Sequence, residues 1–193
     1  MEGILLYHYF EKSRGPFRSL SDLHPGEAEK VLRALRGDPR LMAAGRDEAY
    51  LKRRRELEQL ARALFISKGG QPRRWTPHYM VIGACPWLET WYLDPGVVQI
   101  ALETLDPMTV SFSYGDLFPT FSPRVMDGRE YRRQVYTLHE TLGLIERYGY
   151  PQDWNPQGKA GPERYIEAQV WDDRPIRSAL KAWECGGSET MSG

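Results

Sequence analysis

The chain is poor in everything that would mark a secreted, membrane-spanning or metal-dependent protein. It has two cysteines in 193 residues, Cys85 and Cys185, a hundred positions apart. So few thiols exclude a disulfide scaffold, fit a reducing compartment and show no zinc-type spacing. Its four histidines, at 8, 24, 78 and 139, stand far apart, so no metal is expected. The start carries Glu2 and only a short apolar stretch, Gly3 to Phe10, which does not read as a signal peptide. The longest charge-free run, Trp75 to Leu88, is too short and too rich in Pro and polar groups to span a bilayer. These absences predict a cytoplasmic protein with no membrane contact. No G-x-G-x-x-G, P-loop, H-E-x-x-H or G-x-S-x-G is present, so the familiar phosphate-cradling, zincin and serine-hydrolase signatures are missing.

Net charge is also lacking, at zero, but it is unevenly placed. Residues 1–75 hold 16 Lys/Arg against 10 Asp/Glu, and the remainder reverses this. A basic N-terminal half can meet a phosphate-bearing partner or simply offset its own acidic half. What the chain has is aromatic content: six Trp, eleven Tyr and six Phe, enough with 41% apolar residues for a packed core.

The pattern predicts one domain over residues 1–185, with a helical insertion at 21–68 and a flexible tail at 186–193. Gly3–Phe10 reads as a first strand. A helix is expected over Pro25–Arg36, with Pro at its first position and Gly37 after its end. A longer one is expected over Asp47–Ser67, whose apolar stripe runs through Tyr50, Leu57, Leu60, Ala61, Leu64 and Phe65. Strands are expected at His78–Gly83, Val97–Glu103, Val110–Tyr114, Arg132–Tyr136 and Arg164–Trp171, where the ordered part should end. Thr137 and Glu140 form a capping box for a late helix closed by Gly149. This is α+β with a mostly antiparallel sheet, not a βαβ alternation.

Strand alternation puts Tyr165, Glu167, Gln169 and Trp171 on one face of the last strand and Ile166, Ala168 and Val170 on the other. A carboxylate among aromatics there is either solvated or functional; in a site it can hold a sugar hydroxyl and stabilise an oxocarbenium-like transition state. His8 has two readings: a donor or acid/base at a ligand, or a histidine tied to a backbone carbonyl. Ser113 and Asp116 border a strand-to-turn transition and can touch a ligand, although Asp116 equally suits an Asx turn. Trp75, Trp87, Trp91 and Trp154 can line an aromatic cleft or anchor loops. The run Lys52–Arg55, with Lys68, Arg73 and Arg74, is a candidate for nucleic acid, weakened by Lys52–Glu56 and Arg54–Glu58 at four-residue spacing.

Leu6-Tyr7-His8-Tyr9-Phe10 resembles the first-strand Y-H motif of the ADP-ribosyltransferase-like superfamily, and Ile166-Glu167-Ala168-Gln169-Val170 resembles its closing strand. The resemblance implies NAD as co-substrate, His8 as the ribose-binding residue and Glu167 as the catalytic one. Tyr79 or Tyr114 would stack on nicotinamide, and residues 111–118, including Ser113, would border the site. Phe10 stands where that superfamily carries Thr or Ser, and no E-x-E pair precedes the last strand, so its arginine-modifying branch is not matched. The alternative is a non-enzymatic domain that binds a small molecule or a protein through an aromatic cleft.

Overall fold

The computed structural model describes residues 3–187. Five strands, β1 (Leu5–Glu11), β2 (His78–Ile82), β3 (Pro95–Ala101), β4 (Val110–Ser113) and β5 (Glu167–Val170), form one sheet in the order β3-β1-β2-β5-β4. Every pairing is antiparallel. Among the described residues seven α-helices accompany them: α1 (Pro25–Arg36), α2 (Tyr50–Ser67), α3 (Pro86–Glu89), α4 (Leu117–Phe121), α5 (Leu138–Tyr148), α6 (Pro151–Trp154) and α7 (Asp173–Gly187). The fold is α+β, as the sequence implies. No helix among the described residues is long and apolar enough to cross a membrane.

Alternation along the strands divides the sheet into two differently covered faces. Leu6, Phe10, Met80, Ile82, Phe112, Ile166, Ala168 and Val170 point into the main core with Leu138 and Leu144 of α5 and Ile176 of α7. The opposite face carries Tyr9, Val81 and Tyr165 beside α3, and Tyr79 and Trp171 beneath Ala61 and Phe65 of α2. Of the α2 stripe expected from periodicity, Leu57, Ala61, Leu64 and Phe65 pack on the sheet with Glu58 buried among them, Tyr50 packs with α1, and Leu60 is exposed instead.

Local chemistry explains most boundaries. Pro25 occupies the first turn of α1 and Gly37 caps it. Both hydrogen bonds of the Thr137–Glu140 capping box form at the start of α5. Two expectations fail. Arg132–Tyr136 is not a strand: Arg133 takes a positive φ of 56°, and Arg132 turns inward to Asp127 and Glu163. Only Tyr136 pairs with the sheet, through an isolated bridge to Phe112. The ordered chain also continues past Trp171 into α7, where Ile176, Ala179 and Leu180 reach the core. Gly186 and Gly187 belong to that helix, and the rest of the expected tail, 188–193, lies outside the described residues.

The feature that positions the site is a break in the ladder. β1 pairs with β3 along its whole length but with β2 only at Leu6–Ile82 and Tyr7–Val81. β2 meanwhile stays paired with β5 from His78 to Val81. Beyond Tyr7 the two central strands part, and His8 fills the gap. Its Nδ1 lies 2.9 Å from the Tyr79 carbonyl, and its Nε2 accepts from the Phe17 N–H at 2.9 Å. Donation from Nδ1 and acceptance at Nε2 fix one neutral tautomer. Burial pushes the ring from the usual 6.5 down to about 4. With the folded-state value depressed, stability is retained above pH 6.5 and lost as pH falls towards 4, because the unfolded chain protonates first. His8→Ala strands the Phe17 N–H and should cost roughly 1–3 kcal/mol. Denaturant titrations at pH 7 and pH 4.5 check both: the variant's deficit should shrink at the lower pH.

Candidate functional site

A cleft of about 1010 Å3 opens on the α2 side of the sheet and reaches into the gap between β1 and β2. Its floor is a grid of side chains two apart: Tyr7 and Tyr9 on β1, Tyr79 and Val81 on β2, and Tyr165 and Glu167 at the entry to β5. Its walls come from Arg46, Tyr50 and Arg54, from Trp87 and Trp91, and from Asp116 to Phe118. The volume and aromatic lining suit a drug-sized or larger organic ligand.

Glu167 is the deepest acid in it, 7% exposed. A buried polar chain aims it. Trp171 Nε1 donates to Ser111 Oγ at 2.8 Å, Ser111 donates to Gln169 Oε1 at 2.9 Å, and Gln169 Nε2 donates to Glu167 Oε1 at 3.0 Å. Asp116 stands nearby at the start of α4. Its Oδ1 accepts from the Phe118 N–H at 2.7 Å and its Oδ2 from the Tyr165 hydroxyl at 3.0 Å. Burial pushes Glu167 well above the usual carboxylate range, and the Asp116 charge adds to this against the hydrogen bonds from Gln169 and Leu117. Burial raises Asp116 as well, opposed by Phe118 and Tyr165. Both carboxyls are raised by burial, Glu167 more strongly than Asp116, so the pair favours the proton on Glu167.

A second acid anchors the wall. Arg54 Nε, Ser21 Oγ and Tyr79 Oη all donate to Glu58 Oε1, at 3.0, 2.7 and 3.0 Å. This ties the helical insertion to β2 beside the strand gap. Arg54 also lies over the Tyr79 ring, 4.7 Å from its centroid.

The residues singled out from the sequence divide clearly. His8, Tyr79 and Glu167 line the one cleft. His8 belongs by alternation to the core face and enters through the strand gap, with both ring nitrogens engaged by backbone. The ribose donor expected of it is thus taken by Tyr79, the outcome its second reading described. Tyr79 keeps its ring at the cleft, but its hydroxyl serves Glu58. Ser113 shares the Glu167 face yet is fully buried, donating to the Gly115 carbonyl and accepting from Gln169. Tyr114, the next residue, points to the opposite face, where its hydroxyl donates to the Gly149 carbonyl at 2.8 Å. Neither Ser113 nor Tyr114 lines the cleft. Trp87 and Trp91 line it, Trp154 packs on the core, and Trp75 stands 80% exposed. Tyr165, Gln169 and the Arg46–Arg54 wall escaped sequence reasoning as site residues. The alternation that singled out Glu167 also held the signal for the first two.

The basic residues suggested for nucleic acid all have partners within the protein. Lys52 meets Glu56, Arg53 meets Asp47, Arg54 meets Glu58, and Arg55 reaches the Leu23 carbonyl. Lys68 pairs with Glu140, Arg73 with Asp106 and Asp172, and Arg74 with Asp22 and Asp173. Among the described residues no group of three His, Cys, Asp or Glu side chains could hold a metal ion. No family model matches the chain, and no curated protein or solved structure matches it.

The burial of Glu167 has a measurable cost. Because its folded-state value is raised above the ordinary 4.5, stability falls as pH climbs from that value through the raised one. Glu167→Gln should therefore be more stable than the parent at neutral pH, by about 1.4 kcal/mol for each unit of displacement, and no more stable near pH 4. Thermal unfolding across that range checks it; a variant less stable at neutral pH would contradict the placement of the proton.

Proposed function

We propose that the protein is an NAD-consuming transferase of the ADP-ribosyltransferase-like kind, with its reaction centred on Glu167. The observation that carries this reading is the arrival of His8, Tyr79 and Glu167, from three adjacent strands, at one cleft where the sheet parts. The assignment of NAD itself comes from the motif resemblance.

In this reading the nicotinamide ring lies on the aromatic floor and its ribose lies over Glu167. The ring's positive charge favours the ionised form of a carboxyl that is otherwise held protonated, so ligand binding drives a proton off Glu167. The C–N glycosidic bond then breaks with its electron pair passing to the pyridinium nitrogen. The carboxylate stabilises the oxocarbenium-like ribosyl group until an acceptor oxygen or nitrogen attacks, and the acceptor's proton leaves to solvent. His8 acts as a positioning residue. It holds the gap open and orients the Tyr79 backbone, and it does not bond to the ribose.

A second reading is a small-molecule binding domain without turnover. It is favoured by the engagement of both His8 nitrogens. Calorimetric titration with NAD, together with an assay for released nicotinamide, separates the two. The transferase reading expects saturable binding, nicotinamide release that rises with pH as Glu167 ionises, and release lowered by roughly 100-fold or more in Glu167→Gln, as when a group stabilising the transition state is removed. Binding without release supports the second reading. No binding at millimolar NAD contradicts the first.

A further inference from the structure

The charges around the cleft are not all compensated. Arg46 follows the short 3-10 turn Met42–Gly45 and lines the cleft in front of α2. Its guanidinium lies over the Tyr50 ring, 4.5 Å from the centroid. Tyr50 is fixed in turn: Phe118 stacks on it at 5.1 Å and 2°, and its hydroxyl accepts from Arg54 at 3.0 Å. The arginine thus rests on an immobilised ring.

Its donors nevertheless go nowhere. Among the described residues no acceptor meets any of its side-chain N–H groups, and its buried Nε has no hydrogen-bond partner. The nearby acids are committed elsewhere. Asp47 pairs with Arg53, Glu58 with Arg54, and Asp116 accepts from Phe118 and Tyr165. Burial pushes the Arg46 guanidinium down and the Arg54 charge adds to the effect, outweighing the opposing influence of Tyr50, Tyr92 and Asp116. Arg54, by contrast, satisfies its donors on Ser21, Glu58 and Tyr50. A half-buried cation with idle, planar donors is costly to maintain unless an anion completes it.

We propose that Arg46 is the anion anchor of the cleft and receives a phosphoryl group of the ligand. The planar guanidinium fork matches phosphate oxygens in pairs, and its stacking on Tyr50 sets the plane in advance. Identification of that phosphoryl group as the diphosphate of NAD rests on the reading given above; the anion site itself rests on Arg46 alone. The chain would accordingly discriminate by phosphate, preferring ligands that carry the diphosphate over the bare nucleoside.

Calorimetric titration of inorganic pyrophosphate and of ADP-ribose into the wild type, Arg46→Met and Arg46→Lys tests this. The wild type should bind both. Arg46→Met should lose roughly tenfold or more in affinity for each, the usual effect of removing a charge-assisted hydrogen bond. It should unfold at the same temperature as the wild type or higher, since an uncompensated buried charge is gone. Arg46→Lys, which keeps the charge but loses the fork, should fall between them and provides the contrast if the Met variant does not fold. Wild-type affinity in either variant, or no binding of pyrophosphate and ADP-ribose by the wild type, overturns the proposal. Arg46-dependent pyrophosphate binding without nicotinamide release keeps the anchor and removes the transferase. Nicotinamide release with an unchanged Michaelis constant in Arg46→Met does the reverse.

Discussion

The structure depends on the parting of β1 from β2 after the Tyr7–Val81 pair. Two central strands that leave their ladder expose backbone groups that must find partners, because an unpaired buried N–H or carbonyl is costly. Two side chains meet that need: His8 donates to the Tyr79 carbonyl while accepting from the Phe17 N–H of the following turn, and the Tyr92 hydroxyl donates to the Tyr9 carbonyl. The requirement for one donor and one acceptor on the same ring accounts for a histidine at position 8 and for its neutral form. Without the gap the floor would be a closed sheet packed under α2, and the cleft could not reach between the strands.

Around that gap the protein accumulates features that do not favour stability. Glu58 collects three donors on one oxygen, Glu167 sits at the end of a four-residue polar chain, and Arg46 waits without a partner. Elsewhere the picture is mixed: His78 and Arg74 clasp Asp173, while the Tyr131 hydroxyl and His78 Nδ1 have no hydrogen-bond partner. A cavity with a buried acid of raised pKa, a cation whose buried Nε has no hydrogen-bond partner and a lining of rings has the composition expected of a ligand site, where perturbed groups concentrate. The polar chain from Trp171 to Glu167 also couples the end of β5, where α7 begins, to the orientation of the acid.

Much of the fold was legible because its signals are local. Pro25 and Gly37 bound α1, the Thr137–Glu140 box starts α5, and period-two alternation separated Glu167 from Ile166 and Ala168. The same alternation, applied to β4, would have placed adjacent Ser113 and Tyr114 on opposite faces; treating both as site residues overlooked it. The α7 stripe of Ile176, Ala179, Leu180 and Trp183 has helical spacing, but it follows two acids and precedes a Gly-rich end, which disguised it. Nothing local reports the strand gap, since a ladder's extent depends on which strands become neighbours. Nor could the sequence show that Arg46 lacks a partner, because its acids are occupied by residues that only the tertiary structure brings near. The Arg132–Tyr136 segment misled for a related reason: its β-forming composition yields to the inward turn of Arg132 towards buried Glu163.

Everything chemical in this reading turns on Glu167 holding a proton in the absence of ligand and giving it up to a cationic one. Infrared difference spectroscopy of wild type against Glu167→Gln, at neutral pH and with or without NAD, reads this directly. A protonated-carboxyl carbonyl band, assignable to Glu167, should be present without NAD and disappear when NAD is added. A carboxylate signal already present in the empty protein, or a protonated band that persists at saturating NAD, would contradict it.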